Sequence, residues 1–302
     1  MTRREFALGF SAGMLASGSS PRPRIAITMD DFNWRAIPGE GSEKTNRALL
    51  DALAKHSNLK IALFVAGGNV DNPRGRELLQ TWNDAGHSIC NHTYSHRSYN
   101  NTASGDFSGD LLRCEDLIGG YSSFRRMFRF PALKEGNTAA KRDYMRRFLA
   151  SHGYRNGHVT IDNSDWYYDQ RLRSRLKDNP ATDPQAYRDV YLDHLWTCAT
   201  YYDGLARKVA GVVPHTLLLH YTLLNGLFLD DVLTMFESKG WQLISAPEAY
   251  RHPVFSNNPR TLPAGESLIW AMAKASPEHA SLLRYPGEGM EYEKAKLDRL
   301  GL

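Results

Sequence analysis

Five short segments hold most of the residues that could carry out hydrolysis. Asp30 and Asp31 follow an apolar run, and His92 and His96 bracket Thr93-Tyr94-Ser95. Arg129 precedes Phe130-Pro131, Asp162 and Asp165 lie three apart, and His220 closes Leu217-Leu218-Leu219. Imidazoles at i and i+4 share one side of a helical turn. They suit two ligands of a divalent cation, with a carboxylate as third ligand and an open position for water. Alone, the same spacing describes two ordinary histidines at a helix start equally well. Asp30-Asp31 reads as a helix N-cap and its neighbour, or as a divided pair. In the second case one carboxylate holds a metal and the other takes a proton from water.

The elements that must position these residues alternate between strand and helix. Arg24–Met29, Lys60–Val65, His87–Cys90, Met127–Phe130, His158–Ile161, Leu217–His220 and Trp241–Ile244 read as short apolar strands. Helices are expected over residues 43–57, 74–85, 107–118, 138–151, 183–209 and 228–239. Near-continuous apolar strands separated by helices indicate a parallel sheet covered on both faces. Seven such units predict an α/β fold in one domain, a distorted (β/α)7 barrel one unit short of the (β/α)8 type, with an open doubly wound sheet as the competitor. In either fold ligands bind at the C-terminal ends of strands. The acids, histidines and arginine named above all sit at such ends, so one mouth would collect them.

Composition narrows the class. A chain of 302 residues with 42% hydrophobic and 23% charged residues is a folded globular protein, and a net charge of +4 spread along it is no nucleic-acid footprint. No apolar run approaches the ~18 residues that a membrane span requires. Three cysteines, Cys90, Cys114 and Cys198, are too few and too scattered for a disulfide framework and read as small buried hydrophobes. Residues 1–22 differ from the rest: Arg3-Arg4, a short apolar middle and a small-residue end resemble a twin-arginine export signal. That pattern predicts an exported protein, periplasmic or secreted, or a cytoplasmic one if the segment is not a signal. Residues 23–250 form the expected catalytic domain, and the proline-punctuated residues 251–302 an extension packing on the barrel.

The five segments occur in the order of the motifs of the polysaccharide deacetylase family (NodB homology, carbohydrate esterase family 4). They are Thr28-Met29-Asp30-Asp31, His92-Thr93-Tyr94-Ser95-His96, Arg129-Phe130-Pro131, Asp162-Asn163-Ser164-Asp165-Trp166 and Leu217-Leu218-Leu219-His220. The resemblance covers about residues 24–250. It implies a metal-dependent deacetylase of an acetylated glycan, with N-acetyl preferred over O-acetyl. Asp31, His92 and His96 would hold one divalent ion, Zn2+ above Co2+, Ni2+ or Mn2+. Asp30 would be the general base, oriented by Arg129, and His220 the general acid, tuned by Asp165. Trp166, Pro131 and Ala132 would shape the substrate site, with a backbone N–H near residue 132 at the acyl oxygen.

Three positions depart from the family pattern. Phe32 stands where glycine usually follows the two aspartates, Cys90 replaces a small residue, and Ala132 replaces the tyrosine after proline. None removes a charged group. Two other functions compete: a metal-dependent hydrolase of another amide or ester on the same scaffold, and a carbohydrate-binding protein without turnover. The aromatic stretch after Trp166 (Tyr167, Tyr168, Tyr187, Tyr191, Trp196, Tyr201, Tyr202) reads as a carbohydrate subsite or as the core of a long helix.

Overall fold

The computed structural model describes residues 21–33, 41–284 and 289–302. The first twenty residues of the expected export signal lie outside them. Among the described residues no helix is long and apolar enough to cross a membrane.

Among the described residues nine strands occur: β1 (Arg24–Asp30), β2 (Ala62–Val65), β3 (Ser88–Asn91), β4 (Phe124–Phe128), β5 (Lys134–Gly136), β6 (Arg155–Asn156), β7 (Pro214–His220), β8 (Gln242–Leu243) and β9 (Ala264–Gly265). Seven form one parallel sheet in the order β6-β4-β3-β2-β1-β7, with β8 also on β1. β1 lies between β2 and β7, with β8 against its first residues, and is buried from Ile25 to Asp30, because helices outside and side chains inside cover both faces. That double burial explains its unbroken apolar text. Helix Gly41–Lys55 packs on helix Leu223–Ser238 along the outer face of this region.

The sheet curls shut through the chain after β6. Thr160 and Ile161 donate backbone N–H groups to the Thr216 carbonyl, and Leu218 N–H donates to Ile161. The expected strand over His158–Ile161 is thereby corrected. The only regular pairing is at Arg155–Asn156 on β4, and Ile161 makes an isolated bridge to Leu217. The physical reason lies in the threonines. Thr160 Oγ1 accepts from Thr216 N–H at 2.7 Å, and Thr216 Oγ1 donates to the His158 carbonyl at 2.9 Å, so hydroxyls replace rungs of the backbone ladder. Gly157 allows the crossing: a Cβ there would come within 2.3 Å of the Phe64 ring. The fourth strand also starts earlier than expected, at Phe124, and ends at Phe128.

Residues 251–302 pack on the barrel. β9 pairs antiparallel with β5, Leu268 N–H donates to the Val159 carbonyl, and Ser267 Oγ donates to the Thr160 carbonyl. Helix Leu268–Lys274 lies on the long helix Gln185–Val209. Most of the aromatic stretch is core: Tyr167, Tyr168, Tyr187, Tyr191 and Tyr202 are buried. All three cysteines are buried free thiols.

Candidate active site

β1 ends with two carboxylates because the chain turns sharply there. Asp31 takes a left-handed backbone (φ 59°), so its side chain departs from that of Asp30. Asp30 is buried, and burial pushes its carboxyl up from the ordinary range while the Arg129 guanidinium pulls it back. Arg129 Nη1 donates to Asp30 Oδ1 at 2.5 Å and to Thr28 Oγ1 at 3.0 Å. Its Nε donates to the Gly157 carbonyl at 2.9 Å, its Nη2 to the Tyr250 hydroxyl at 3.0 Å, and it stacks on Phe64. A buried guanidinium so fully occupied is a fixed charge.

His92 and His96 come together, with ring centroids 4.9 Å apart, but not on a helical turn. Residues 92–98 form a bend in which Thr93 (φ 63°) and His96 (φ 53°) are left-handed. The helix expectation is corrected: the link is Thr93 Oγ1 accepting from His96 N–H at 3.0 Å. His92 Nδ1 contacts the Arg129 carbonyl at 2.8 Å. A carbonyl can only accept, so Nδ1 bears the proton and the Nε2 lone pair is free, the arrangement a metal-ligating imidazole uses. Burial, with His96 beside it, lowers the His92 pKa to about 3, which keeps the ring neutral.

Asp31 Oδ1 lies 3.1 Å from His96 Nε2 and 3.7 Å from His92 Nε2. One ligand atom from each of Asp31, His92 and His96 falls within 4.8 Å of the others. Asp31 Oδ1 is buried without a hydrogen-bond partner. A buried carboxylate oxygen left bare beside two imidazole lone pairs fits a divalent cation, and two nitrogens with one oxygen suit Zn2+.

Opposite stands His220, at the end of β7. Its Nδ1 donates to Asp165 Oδ1 at 2.7 Å, and its backbone N–H donates to Asp165 Oδ2 at 2.8 Å. Asn225 Nδ2 donates to the same Oδ2 at 2.8 Å and is itself held by the Tyr191 hydroxyl at 2.6 Å. Burial alone would lower the His220 pKa, but the adjacent Asp165 carboxylate, with lesser help from Asp31 and Asp30, raises it to about 10. Thr222 caps helix Leu223–Ser238 by accepting from Asn225 N–H. That cap brings Asn225 back under His220.

A cavity of about 360 Å3 joins these groups, lined by Asp30, Asp31, His92, His96, Asp162, His220 and an apolar wall of Ala132, Leu133, Trp166 and Leu218. A larger cleft of about 1160 Å3 continues from it past Trp166 along helix Asp165–Asp178. Of the residues expected to shape the substrate site, Trp166 and Ala132 line the cavity, whereas Pro131 is buried at the start of the turn that carries Ala132. Sequence reasoning missed Tyr250 behind Arg129, and Asn225 and Tyr191 behind Asp165. The only available signal was Asn225, five residues past His220, on the first turn of the following helix.

The family model described as polysaccharide deacetylase matches residues 17–157. It takes in the segments of Asp30, His92 and Arg129 and ends before those of Asp165 and His220. No curated protein matches the sequence. Among solved structures, the chitin deacetylase of the fungal pathogen Colletotrichum lindemuthianum is 18% identical, with a TM-score of 0.52 over 76% of this chain and 87% of that one. A CE4 family pseudoenzyme from Bacillus anthracis is 17% identical, with a TM-score of 0.51 over 76% of this chain and 65% of its own length. A peptidoglycan N-acetylglucosamine deacetylase is 17% identical, with a TM-score of 0.50 over 76% and 88%. At these identities the likeness is one of fold. Over residues 17–157 the chain is similar to the polysaccharide deacetylase family, and its fold is the one those deacetylases share.

Proposed function

We propose that the protein is a divalent-metal-dependent hydrolase that removes acetyl groups from a carbohydrate, amides in preference to esters. The observation that carries this reading is the convergence on one cavity of three groups. They are the Asp31, His92 and His96 triad, Asp30 fixed by Arg129, and His220 fixed by Asp165. Asp31, His92 and His96 would hold the metal. When bound, Zn2+, or Co2+, Ni2+ or Mn2+ in its place, supplies Lewis-acid charge at the acyl oxygen and acidifies water.

Asp30 takes the proton from the attacking water. Its Oδ1 is tied to Arg129, which leaves Oδ2, 3.6 Å from His92 Nε2, as the accepting atom. Ala132 lines the cavity wall, and its backbone N–H would share the charge that develops on the acyl oxygen. His220 gives its proton from Nε2 to the leaving group, since Nδ1 is committed to Asp165. An amine leaves only when protonated, and a histidine held cationic well above neutrality serves that need. This supports amide over ester substrates. Trp166 offers a flat apolar face to a sugar ring.

A carbohydrate-binding protein without turnover would have no use for the base, the acid and the three ligand residues together, and all are present. The experiment is acetate release from chito-oligosaccharides, peptidoglycan fragments and acetylxylan, with chelator and after zinc is restored. Activity lost to chelator and regained with zinc, and Asp30→Asn binding zinc normally while turnover falls at least a hundredfold, supports the reading. Near-normal turnover in Asp30→Asn removes Asp30 from its role.

A further inference from the structure

Asp162 lines the same cavity yet has no part in the chemistry above. It is fully buried. Its Oδ1 accepts from Asn163 N–H at 2.9 Å, and its Oδ2 has no hydrogen-bond partner. The position is tightly held: the Asn163 side chain donates to the Leu218 carbonyl, and its Oδ1 accepts from Asp165 N–H at 2.8 Å. A carboxylate buried against Leu133, Leu218 and Trp166 with no cation touching it is costly, and the neutral form relieves that cost. Burial and Glu266, from the C-terminal extension, push its pKa up to about 7, against weaker opposing effects of the Asn163 N–H, His220 and Lys134. Lys134 is already engaged with Glu266 at 2.5 Å. Because Oδ1 already accepts, the proton of the neutral acid sits on Oδ2. That makes Oδ2 a hydrogen-bond donor for which the described protein supplies no acceptor.

We propose that Asp162 is a substrate-contacting residue, a neutral carboxylic acid that donates from Oδ2 to a hydroxyl oxygen of the acetylated sugar ring. The inference rests on the deacetylase reading. A neutral acid donor selects for a ligand oxygen at that point and disfavours a ligand carboxylate once it ionises itself.

The test compares Asp162→Asn and Asp162→Leu with the zinc-loaded wild type on an N-acetyl chito-oligosaccharide, measuring kcat and KM at pH 6 and pH 8.5. Asparagine keeps a donor in place of Oδ2–H and an acceptor in place of Oδ1. It should hold KM within about threefold of wild type at pH 6, while leucine raises KM about tenfold with a smaller change in kcat, the scale of one lost hydrogen bond between neutral partners. From pH 6 to 8.5 the wild-type KM should rise as Asp162 ionises and that of Asp162→Asn stay level. A leucine variant with wild-type KM overturns the inference, as does an asparagine variant whose KM follows the wild-type pH dependence. If leucine prevents folding, the asparagine comparison decides alone. Zinc-loaded, folded wild type that releases no acetate from any glycan overturns the deacetylase reading, and this inference with it.

Discussion

Replacing Asp165 by asparagine tests the acid half of the site most directly. Three donors converge on the Asp165 carboxylate: His220 N–H and Asn225 Nδ2 on Oδ2, and His220 Nδ1 on Oδ1. In Asp165→Asn the amide oxygen must take the Oδ2 place to satisfy two N–H groups. The amide NH2 then faces His220 Nδ1, which can meet it only as an acceptor. The imidazole is driven to its neutral form with the proton on Nε2. Wild-type His220 titrates at about 10, so it is nearly all cationic at pH 8. With the carboxylate gone the value falls to the ordinary 6.5 or below, since burial opposes charge, and about 3% of the ring is protonated at pH 8. Protonation alone then lowers amide turnover at pH 8 about 30-fold. The assay is kcat/KM for acetate release from pH 6 to 10, on an N-acetyl oligosaccharide and on an activated aryl acetate whose phenolate leaves without a proton. The alkaline limb on the amide should move down by two or more pH units, with little loss on the aryl ester. Superimposable alkaline limbs, or equal losses on both substrates, would refute acid catalysis by His220. Stability carries the same sign: a raised histidine pKa contributes fully below pH 6.5 and is lost as pH climbs toward 10. The Asp165→Asn deficit in denaturant melts should therefore shrink across that interval.

Two further substitutions probe the scaffold. Arg129→Met strands the Asp30 carboxylate, with Arg129 1% and Asp30 4% exposed at the side chain. Urea unfolding of the zinc-free protein should show a loss of about 3–5 kcal/mol. Adding Asp30→Asn should recover part of it, whereas a loss under about 1 kcal/mol would mean that the pair contributes little. Gly265→Ala places a Cβ 1.9 Å from the Leu133 carbonyl at φ +117°, so β9 and the turn it supports must part. A thermal melt should show about 2 kcal/mol or more of destabilisation, and kcat/KM should fall while calorimetric zinc affinity is unchanged. Unaltered turnover would show that the extension does not position the Ala132 wall.

Strand and helix could be read from the sequence because both follow from burial. Arg24–Asp30 and Pro214–His220 are buried on both faces, and their text is correspondingly apolar. Where side chains replace the backbone ladder, as Thr160 and Thr216 do, periodicity misleads and the expected strand dissolves. The site was legible in its residue types and only partly in its geometry. A spacing of four between His92 and His96 suggested a helical turn, yet two left-handed residues bring the rings together. Asp31, Ala132 and Leu133 adopt the same conformation, as does Glu266 on the strap behind them. Each such residue costs on the order of 1 kcal/mol, and nothing in its side chain announces it. These six account for most of the left-handed non-glycine positions in the described chain, the others being Ser57 and Asn58. The concentration has a physical logic. A regular helix or strand aims successive side chains at fixed angles, whereas a metal triad and a substrate wall need Asp31, His92, His96 and Ala132 to converge from three separate strand ends. Sharp reversals at those ends supply the convergence, and the extension holds one of them: Glu266 N–H donates to the Leu133 carbonyl. Residues 251–302, which carry no catalytic motif, thus reach the cavity wall through a backbone hydrogen bond.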